Sequence, residues 1–380
     1  MPKRILLALI MVMQAVTLSG CWDYRDINTV AFPQLGAYDL HEDGETSVNS
    51  LSQDIQLIDL TVVIPNIAEN VESKFKIDKT TGILIGNARG QKPYQLPGGY
   101  TPGVASSIII GEDLAATGIN KLNEALTRGA LNPHTLNYAI SEGRAEKILR
   151  VPVKDYPSMG VYMRLLLRSA DKRAFIATTT LHQFEVDQNP GKNPIMPLLT
   201  IKNDKVKFSG TAILKKDKMI GRADLEETQY LLMLRGIKCT ASLPFVLNNY
   251  DNLSEYGSVN VVNKRKVKVE HDGDKFIFNI SIMLEGELTE IDRPEGILFT
   301  ENEELIHDIE AQISSDVTDK CKRFLKKMQG EYKVDCIDIS KYALAKWRKE
   351  LEPRIDEDFI ENVVINVNVT MKMKDIGEEN

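Results

Sequence analysis

The sequence predicts an α+β fold of two or three domains, built on mainly antiparallel or mixed sheets that pack against helices. Runs of strand patterns followed by helical patterns favour this class over a doubly wound sheet. The chain has 380 residues, which exceeds what one hydrophobic core normally holds. Separate α+β domains are therefore expected along one chain.

The N-terminus combines positive charge, an apolar run and a cysteine. Lys3 and Arg4 precede residues 5–18, which are almost entirely apolar. This run is shorter than the about 20 apolar residues that a transmembrane helix needs. The ending Leu18-Ser19-Gly20-Cys21 resembles the lipobox of bacterial lipoproteins. That resemblance implies that residues 1–20 are a removed signal peptide and that Cys21 carries a diacylglyceryl lipid, which tethers the folded domains.

Two acyl chains make a stable anchor, whereas one chain binds only marginally, at about 0.8 kcal/mol per buried methylene. No later stretch of the sequence resembles a transmembrane helix. The protein is therefore predicted to be tethered to the outer face of a membrane rather than to span it. The alternatives are an uncleaved N-terminal anchor and a secreted protein with a free Cys21.

The charge balance is acidic. The net charge is −7, and without the leader it becomes −9, from 45 basic against 54 acidic residues. Nucleic acid is therefore not an expected partner, and the lipid is expected to supply most of the membrane affinity. The run Lys264-Arg265-Lys266 with Lys268 could touch anionic lipid, but an exposed hairpin face is the favoured interpretation.

The cysteines do not suggest a metal site. Once Cys21 is lipidated, Cys239, Cys321 and Cys336 remain, without a CxxC pair or a histidine at metal spacing. A Cys321–Cys336 disulfide would be compatible with an extracytoplasmic location, but buried free thiols are favoured. No cofactor other than the covalent lipid is expected.

The first half contains strand patterns and one segment rich in Gly and Pro. The strand patterns occupy residues 29–40, 55–67 and 104–110. Residues 79–103 predict a long irregular connection, because Gly and Pro interrupt regular structure. Residues 112–126 predict one helix, and residues 157–169 predict another, with Leu165 among its apolar residues.

The second half has sharper local signals. Residues 205–213 and 218–222 predict a hairpin. Asp224 and Glu227 form a capping box for a helix that Gly236 ends, with Leu225 on its predicted buried face. Asp272-Gly273 predicts another hairpin between two alternating strands.

The longest predicted helix follows. Thr300 and Glu303 form its capping box, and apolar residues recur at spacings of three and four from Ile306 to Met328. Gly330 is predicted to end it. Alternating apolar residues from Val363 to Met371 then predict an antiparallel strand with one buried face.

Catalytic motifs are missing. The sequence lacks GxxxxGK[ST], GxSxG, HExxH and the dinucleotide fingerprint. None of the five histidines has a nucleophile or acid at a motif spacing. Acidic pairs such as Glu301 and Glu303 are expected to be solvated charges at helix starts. The chain is therefore predicted not to be an enzyme. The histidines are His41, His134, His182, His271 and His307.

Several short motifs follow one another along the chain. Cys21-Trp22-Asp23 opens the mature protein, and residues 108–115 and Gly143-Arg144-Ala145 come later. The most specific motif, residues 208–221, contains Phe208, Gly210 and Gly221. Together these motifs resemble the Ger(x)C lipoprotein family, the C subunits of spore germinant receptors in Gram-positive bacteria. In relatives a helix precedes the strand at residue 108, so the Gly/Pro-rich stretch here suggests a trimmed or remodelled first domain.

The resemblance implies a lipid-anchored, non-catalytic C subunit of a nutrient germinant receptor, needed for spore germination. It implies a location on the outer face of the cell membrane, and in spores on the inner spore membrane. The implied partners are the A and B subunits of the receptor. A solute-binding lipoprotein of a transporter is the alternative, and it would hold a ligand in a cleft between two lobes.

The motif residues are expected to be structural. Gly210 and Gly221 would allow tight strand and turn geometry, and Trp22 beside the lipid would lie at the headgroup layer. The expected domains are the signal peptide at residues 1–20, an N-terminal region of one or two α+β domains at residues 21–203, and a C-terminal Ger(x)C-like α+β domain at residues 204–375.

Overall fold

The computed structural model describes residue 5 and residues 30–42, 57–66, 73–96, 99–129, 131–250, 253–273, 275–292 and 303–375. These residues form two sheets and several helices, which confirms the α+β prediction with mixed sheets. The predicted lipid site at Cys21 lies outside the described residues.

The first sheet has nine strands within the described ranges, in the order β3-β2-β1-β4-β5-β7-β8-β9, with β6 paired to β5. β1, β4, β5 and β7 run parallel at its centre, and the other pairings are antiparallel. Helices cover both faces of the parallel part, so its strands are apolar on both sides, as Ile108, Ile109 and Ile110 show. The strands are β1 (Leu35–Leu40), β2 (Ile58–Pro65), β3 (Phe75–Gly82), β4 (Ser107–Gly111), β5 (Asn137–Ser141), β6 (Thr179–Thr180), β7 (Ile195–Lys202), β8 (Lys205–Lys215) and β9 (Lys218–Asp224).

The helices of this half lie on opposite faces of the sheet. α1 (Ile85–Gly90), α3 (Glu112–Thr117), α4 (Asn120–Thr127) and α7 (Leu181–Val186) contribute to one apolar core. α5 (Ala145–Leu149) and α6 (Met159–Arg173) contribute to the core on the other face. A short helix, α2 (Lys92–Gln95), follows α1.

Two predictions for the first half are wrong. Residues 79–103 are not an irregular connection, because they contain the end of β3, α1, α2 and a 3₁₀ turn at Pro102–Val104. Two short helices therefore precede β4, and the trimmed or remodelled first domain stays a prediction. No heavy atom lies within 4 Å of a Cβ built on Gly86 or Gly90, so packing does not require glycine at either position. Pro93 lies in the first turn of α2, where the missing N–H costs little.

The single helix predicted at residues 112–126 is also wrong. Gly118, with φ +117°, ends α3, and α4 starts two residues later.

α6 is found where a helix was predicted. Leu165 is 44% exposed, whereas Met163 and Leu167 lie on the buried face of α6.

The second sheet has four strands in the described ranges, in the order β10-β11-β12-β13. Gly273, with φ +59°, lies at the predicted hairpin between β11 and β12. β13 shows the predicted alternation, but it runs parallel to β12, so the antiparallel prediction is wrong. Parallel neighbouring strands need a long crossover connection, and the helices between β12 and β13 provide one. The strands are β10 (Thr240–Tyr250), β11 (Leu253–Asp272), β12 (Lys275–Asp292) and β13 (Val364–Asp375).

In the described part of this half, four α-helices accompany the sheet: α8 (Leu225–Arg235), α9 (Glu303–Lys327), α10 (Ser340–Leu351) and α11 (Phe359–Asn362). The capping box of α8 and its end at Gly236 are confirmed, but Leu225 is 48% exposed rather than buried. The apolar stripe of α9 is confirmed through Ile309, Ile313 and Val317. Thr300 lies outside the described residues.

The predicted end of α9 is wrong. Gly330 lies within a π-helical turn, Met328–Tyr332, and Lys333, which has a left-handed backbone conformation, follows that turn.

The prediction of buried free thiols is confirmed for Cys239, Cys321 and Cys336. Burial raises the pKa of both Cys239 and Cys321 to about 12.

The two halves share apolar packing. The core of the second sheet continues into the first half through Ala177, Ile195 and Ile213. The hairpin turn at Asn203 and Asp204 joins β7 to β8 within the first sheet, so the sheet continues across the expected domain boundary. The division at residues 203 and 204 stays a prediction.

Candidate functional site

The predicted site residues divide into two groups. Cys21, Trp22 and Asp23 lie outside the described residues, and Phe208, Gly210 and Gly221 lie within them. In the described part of the chain, no helix is both long and apolar enough to cross a membrane. The same residues contain no group of three or more His, Cys, Asp or Glu side chains that could hold a metal ion.

Gly210 lies in β8 where this strand meets β9. Its φ of +150° is unfavourable for residues with a side chain. A Cβ atom at this position would collide with the carbonyl oxygen of Ala223. Gly210 therefore permits the close approach of two backbones, next to the register shift between Leu198 and Leu199.

Gly221 and Phe208 lie at contacts between secondary-structure elements. A Cβ on Gly221 would lie 2.5 Å from Cε1 of Tyr332, whose hydroxyl donates a hydrogen bond to the carbonyl of Arg222 at 2.6 Å. Burial raises the pKa of Tyr332 to about 12. The rings of Phe208 and Phe175 meet edge to face at a centroid distance of 5.6 Å. This motif thus connects the first sheet to the end of α9 and to the segment after α6.

A charged cluster lies at the carboxyl ends of the central parallel strands, where α/β sheets commonly hold ligands. It consists of Asp39, His41, Asp59, Lys79, Arg144 and Glu146. Asp39 accepts hydrogen bonds from the backbone N–H groups of Ala145 (2.7 Å) and Glu146 (2.9 Å) at the start of α5. Gly111 in β4 leaves room for the Asp39 carboxylate.

The two aspartates of the charged cluster differ in their electrostatics. Burial raises the pKa of Asp39 despite its two backbone donors. Burial acts in the same direction on Asp59, but hydrogen bonds outweigh it and hold its pKa well below the usual range. The Asp59 partners are Lys79 Nζ (2.9 Å), Thr81 Oγ1 (2.7 Å), Arg144 Nη2 (2.8 Å) and His41 Nδ1 (2.8 Å).

The many hydrogen bonds to Asp59 limit the chemistry that the charged cluster can perform. Each Asp59 oxygen has two protein partners, so the carboxylate is poorly placed to bind a metal or to abstract a proton. Arg144 also donates to the carbonyl of Leu40 at 3.0 Å. The cluster therefore fixes the loop between β5 and α5 against β1, β2 and β3.

Sequence reasoning identified Arg144 within a motif but missed Asp39 and Asp59. Each aspartate interrupts an otherwise apolar strand, and that interruption was the available signal. Their partners lie far away in sequence, since Arg144 follows Asp59 by 85 positions. Only the folded structure brings these groups together.

A groove of about 460 Å³ lies between α1, α3 and α4 on the first half. Its walls are mainly apolar and include Leu84, Leu114 and Leu122. Asp217, at its rim, accepts a hydrogen bond from the backbone N–H of Asn120 at 3.2 Å. The groove does not lie between the two sheets.

Two family models match the chain in succession. Residues 23–201 match the spore germination protein N-terminal domain. Residues 209–377 match the C-terminal domain described as spore germination B3/GerAC like. Together they account for nearly all of the sequence.

Individual relatives agree with these matches. YfkR of Bacillus subtilis (strain 168), which its name assigns provisionally to spore germination, is 25% identical over 244 residues, 62% of this chain and 62% of YfkR. Spore germination protein B3 of the same organism is 27% identical over 144 residues, 37% of each chain. The matched part is therefore less than two thirds of the length of either relative.

The fold has a solved counterpart. The crystal structure of the GerBC protein superposes with a TM-score of 0.55 at 16% identity, covering 92% of this chain and 99% of GerBC. At this identity the likeness concerns the fold alone.

Proposed function

We propose that this chain, which belongs to the GerAC-like family of spore germination proteins, acts as the C subunit of a nutrient germinant receptor. The observation that carries the proposal is the succession of the two family matches over residues 23–201 and 209–377. The likeness of the fold to GerBC supports it. The proposed role is non-catalytic, in keeping with the saturated carboxylate of Asp59.

In this proposal, diacylglyceryl lipid on Cys21 anchors the protein. The support is the sequence Leu18-Ser19-Gly20-Cys21 after a charged and apolar leader. The protein would then lie on the outer face of the cell membrane and, in spores, of the inner spore membrane. Its proposed partners are the A and B subunits of the receptor.

The anchor gives a physical reason why weak interfaces would suffice. A protein confined to the membrane surface meets other membrane subunits at a high effective concentration. Loss of the lipid would therefore weaken assembly without changing any contact surface.

Substitution of the anchored cysteine tests this function. We expect Cys21→Ala to lose membrane retention and nutrient-triggered germination together, because the variant lacks the two acyl chains that make a stable anchor. Fractionation of spore membranes, mass spectrometry of the N-terminus and germination assays provide the measurements. Cys239→Ala, which removes a buried thiol far from the leader in sequence, should retain both properties. Full germination by a soluble Cys21→Ala protein would contradict the proposal.

The junction between the halves argues against the solute-binding alternative. Such a protein needs an open cleft between two lobes. Here Ile195 and Ile213 share one apolar core with the second sheet. The guanidinium of Arg235 donates to the carbonyls of Asn193 (3.0 Å) and Cys336 (2.7 Å) across the junction. Packed side chains therefore fill the junction at these positions.

A further inference from the structure

α6 carries a row of cations on its exposed face. Arg164, Arg168 and Lys172 recur at every fourth residue, so they lie along one side of the helix. All three are exposed, and the partly exposed Leu165 lies beside them. The opposite side of α6 is buried against the first sheet.

These cations have no acidic partner in the described ranges of the chain. Other basic residues of the same half, such as Arg150 and Arg222, do form ion pairs. The acid on α6 itself, Asp171, accepts a hydrogen bond from Thr178 Oγ1 at 2.9 Å. In a protein with a net charge of −7, this row is a local surface of opposite sign.

The start of α6 lies next to the beginning of the described chain. Ser158 Oγ, at the cap of α6, donates to Gln34 Oε1 at 2.6 Å. Arg164, Phe32 and the half-exposed Val104 line one depression of about 290 Å³. Arg164 therefore lies close to the point where the chain arrives from residue 21.

The length of the connecting segment sets a distance limit. Phe32 follows Cys21 by about 11 residues, which span at most about 40 Å when fully extended. α6 has 15 residues and is about 22 Å long. The entire basic row can therefore reach a membrane surface that holds the lipid of Cys21.

We propose that the outer face of α6, formed by Arg164, Leu165, Arg168 and Lys172, lies against an anionic lipid surface. The inference rests on the proposed lipid anchor. Charge complementarity identifies the occupant, because anionic headgroups attract clustered cations and an exposed leucine suits the interfacial layer. The lipid on Cys21 holds the protein at the membrane, and α6 fixes which side of the first half faces it.

A second set of unpaired cations provides a matched control. Lys266, Lys268 and Lys372 are exposed on the open face of the second sheet and have no ion pair within the described residues. They are far from residue 21 in sequence. Neutralising them removes as much charge as neutralising the row on α6.

The experiment uses the lipid-anchored mature chain carrying Leu165→Cys, labelled with a polarity-sensitive dye. The thiols at positions 239, 321 and 336 are buried, so the label reacts at position 165. The protein is reconstituted into vesicles of phosphatidylcholine alone or of equal parts phosphatidylcholine and phosphatidylglycerol. We expect a blue shift of the dye emission only with phosphatidylglycerol, reversed by high salt.

Variants that lack these positive charges test which surface contacts the membrane. Arg164→Gln, Arg168→Gln and Lys172→Gln combined should reduce the membrane-bound population of α6 at least about tenfold, since each cation contributes to attraction by anionic lipid. Lys266→Gln, Lys268→Gln and Lys372→Gln combined should keep the blue shift. Circular dichroism of both variants checks that the helices are intact.

The same dye signal in both kinds of vesicle, or equal loss in both triple variants, would overturn the inference. Mass spectrometry of the reconstituted protein reports on the lipid at Cys21 separately. If the lipid is present and the blue shift is absent, only the role of α6 fails. If the lipid is absent, the proposed anchor fails, and adding the protein to preformed vesicles of the two compositions still tests α6.

Discussion

Asp59 is bound by four side chains, which come from three separate segments of the chain. A buried carboxylate is costly unless donors replace its water shell, and Asp59 is only 1% exposed. Lys79, Thr81 and Arg144 compensate for this cost, with His41 as a fourth partner. The charged cluster therefore stabilises the fold, and it also makes the stability of the protein sensitive to acid.

We expect stability to fall in acid partly through Asp59. Its folded pKa lies below the about 3.9 of an unfolded chain, so it stabilises the fold above about pH 5, and this contribution is lost as the pH falls toward the folded pKa. Asp59→Asn should lower the free energy of unfolding at neutral pH by about 2 kcal/mol, since hydrogen bonds to charged groups are worth about 1.5–3 kcal/mol.

Urea unfolding at several pH values measures this effect. The difference between the wild-type protein and Asp59→Asn should shrink as the pH falls below about 4. Asp204→Asn is the control, because Asp204 is exposed in a turn with φ +54°, which asparagine also tolerates. A difference that stays constant with pH would show that the charge of Asp59 is not responsible.

The outer edge of β13 is closed by a helix rather than by another strand. The backbone N–H groups of Val369, Met371 and Met373 donate to side chains of α9. The acceptors are Thr318 Oγ1 (3.2 Å), Ser314 Oγ (2.9 Å) and Glu310 Oε1 (2.7 Å). Two strand residues span about 6.6 Å and four helix residues about 6.0 Å, so the two repeats match over three bonds.

We expect Ser314→Ala combined with Thr318→Val to destabilise the protein by about 2 kcal/mol, because two strand N–H groups lose their acceptors. The opened edge should also increase aggregation, since exposed strand edges pair with other chains. Chemical unfolding and light scattering measure the two effects. Ser315→Ala changes an exposed neighbour on the same helix and should alter neither property. Equal behaviour of the two variants would show that the edge is not protected by these hydroxyls.

Local elements were predictable from the sequence because their signals are local. The capping box at Asp224 and Glu227, and the hairpin at Gly273, depend on residues a few positions apart. The parallel pairing of β13 with β12 depends on a crossover through α9, and the alternation of Val367 and Val369 is the same in either direction. The charged cluster could not be predicted for the same reason, since its members meet only in the folded chain.

Arg235 connects the two halves of the molecule. It lies at the end of α8, is 9% exposed, and donates to the carbonyls of Asn193 and Cys336. Its Nη2 also donates to the buried carboxylate of Asp187 at 3.1 Å. Burial raises the pKa of Asp187, although Arg235 and Gln183 act in the opposite direction. Both halves are therefore expected to lose stability together if Arg235 is removed.

We expect Arg235→Met to lower the free energy of unfolding by about 3 kcal/mol, because it leaves the buried carboxylate of Asp187 with only the more distant cation of Lys192, at 4.0 Å. Arg235→Lys should not restore the loss, since a single ammonium cannot reproduce the planar fork that reaches three acceptors. Adding Asp187→Asn to Arg235→Met should recover part of the stability by removing the buried charge that has lost Arg235. Arg348→Met removes an exposed arginine paired with Glu352, so it should change the free energy of unfolding much less than Arg235→Met does. Guanidinium unfolding followed by circular dichroism gives these values, and equal effects of Arg235→Met and Arg348→Met would refute a role for Arg235 in joining the halves.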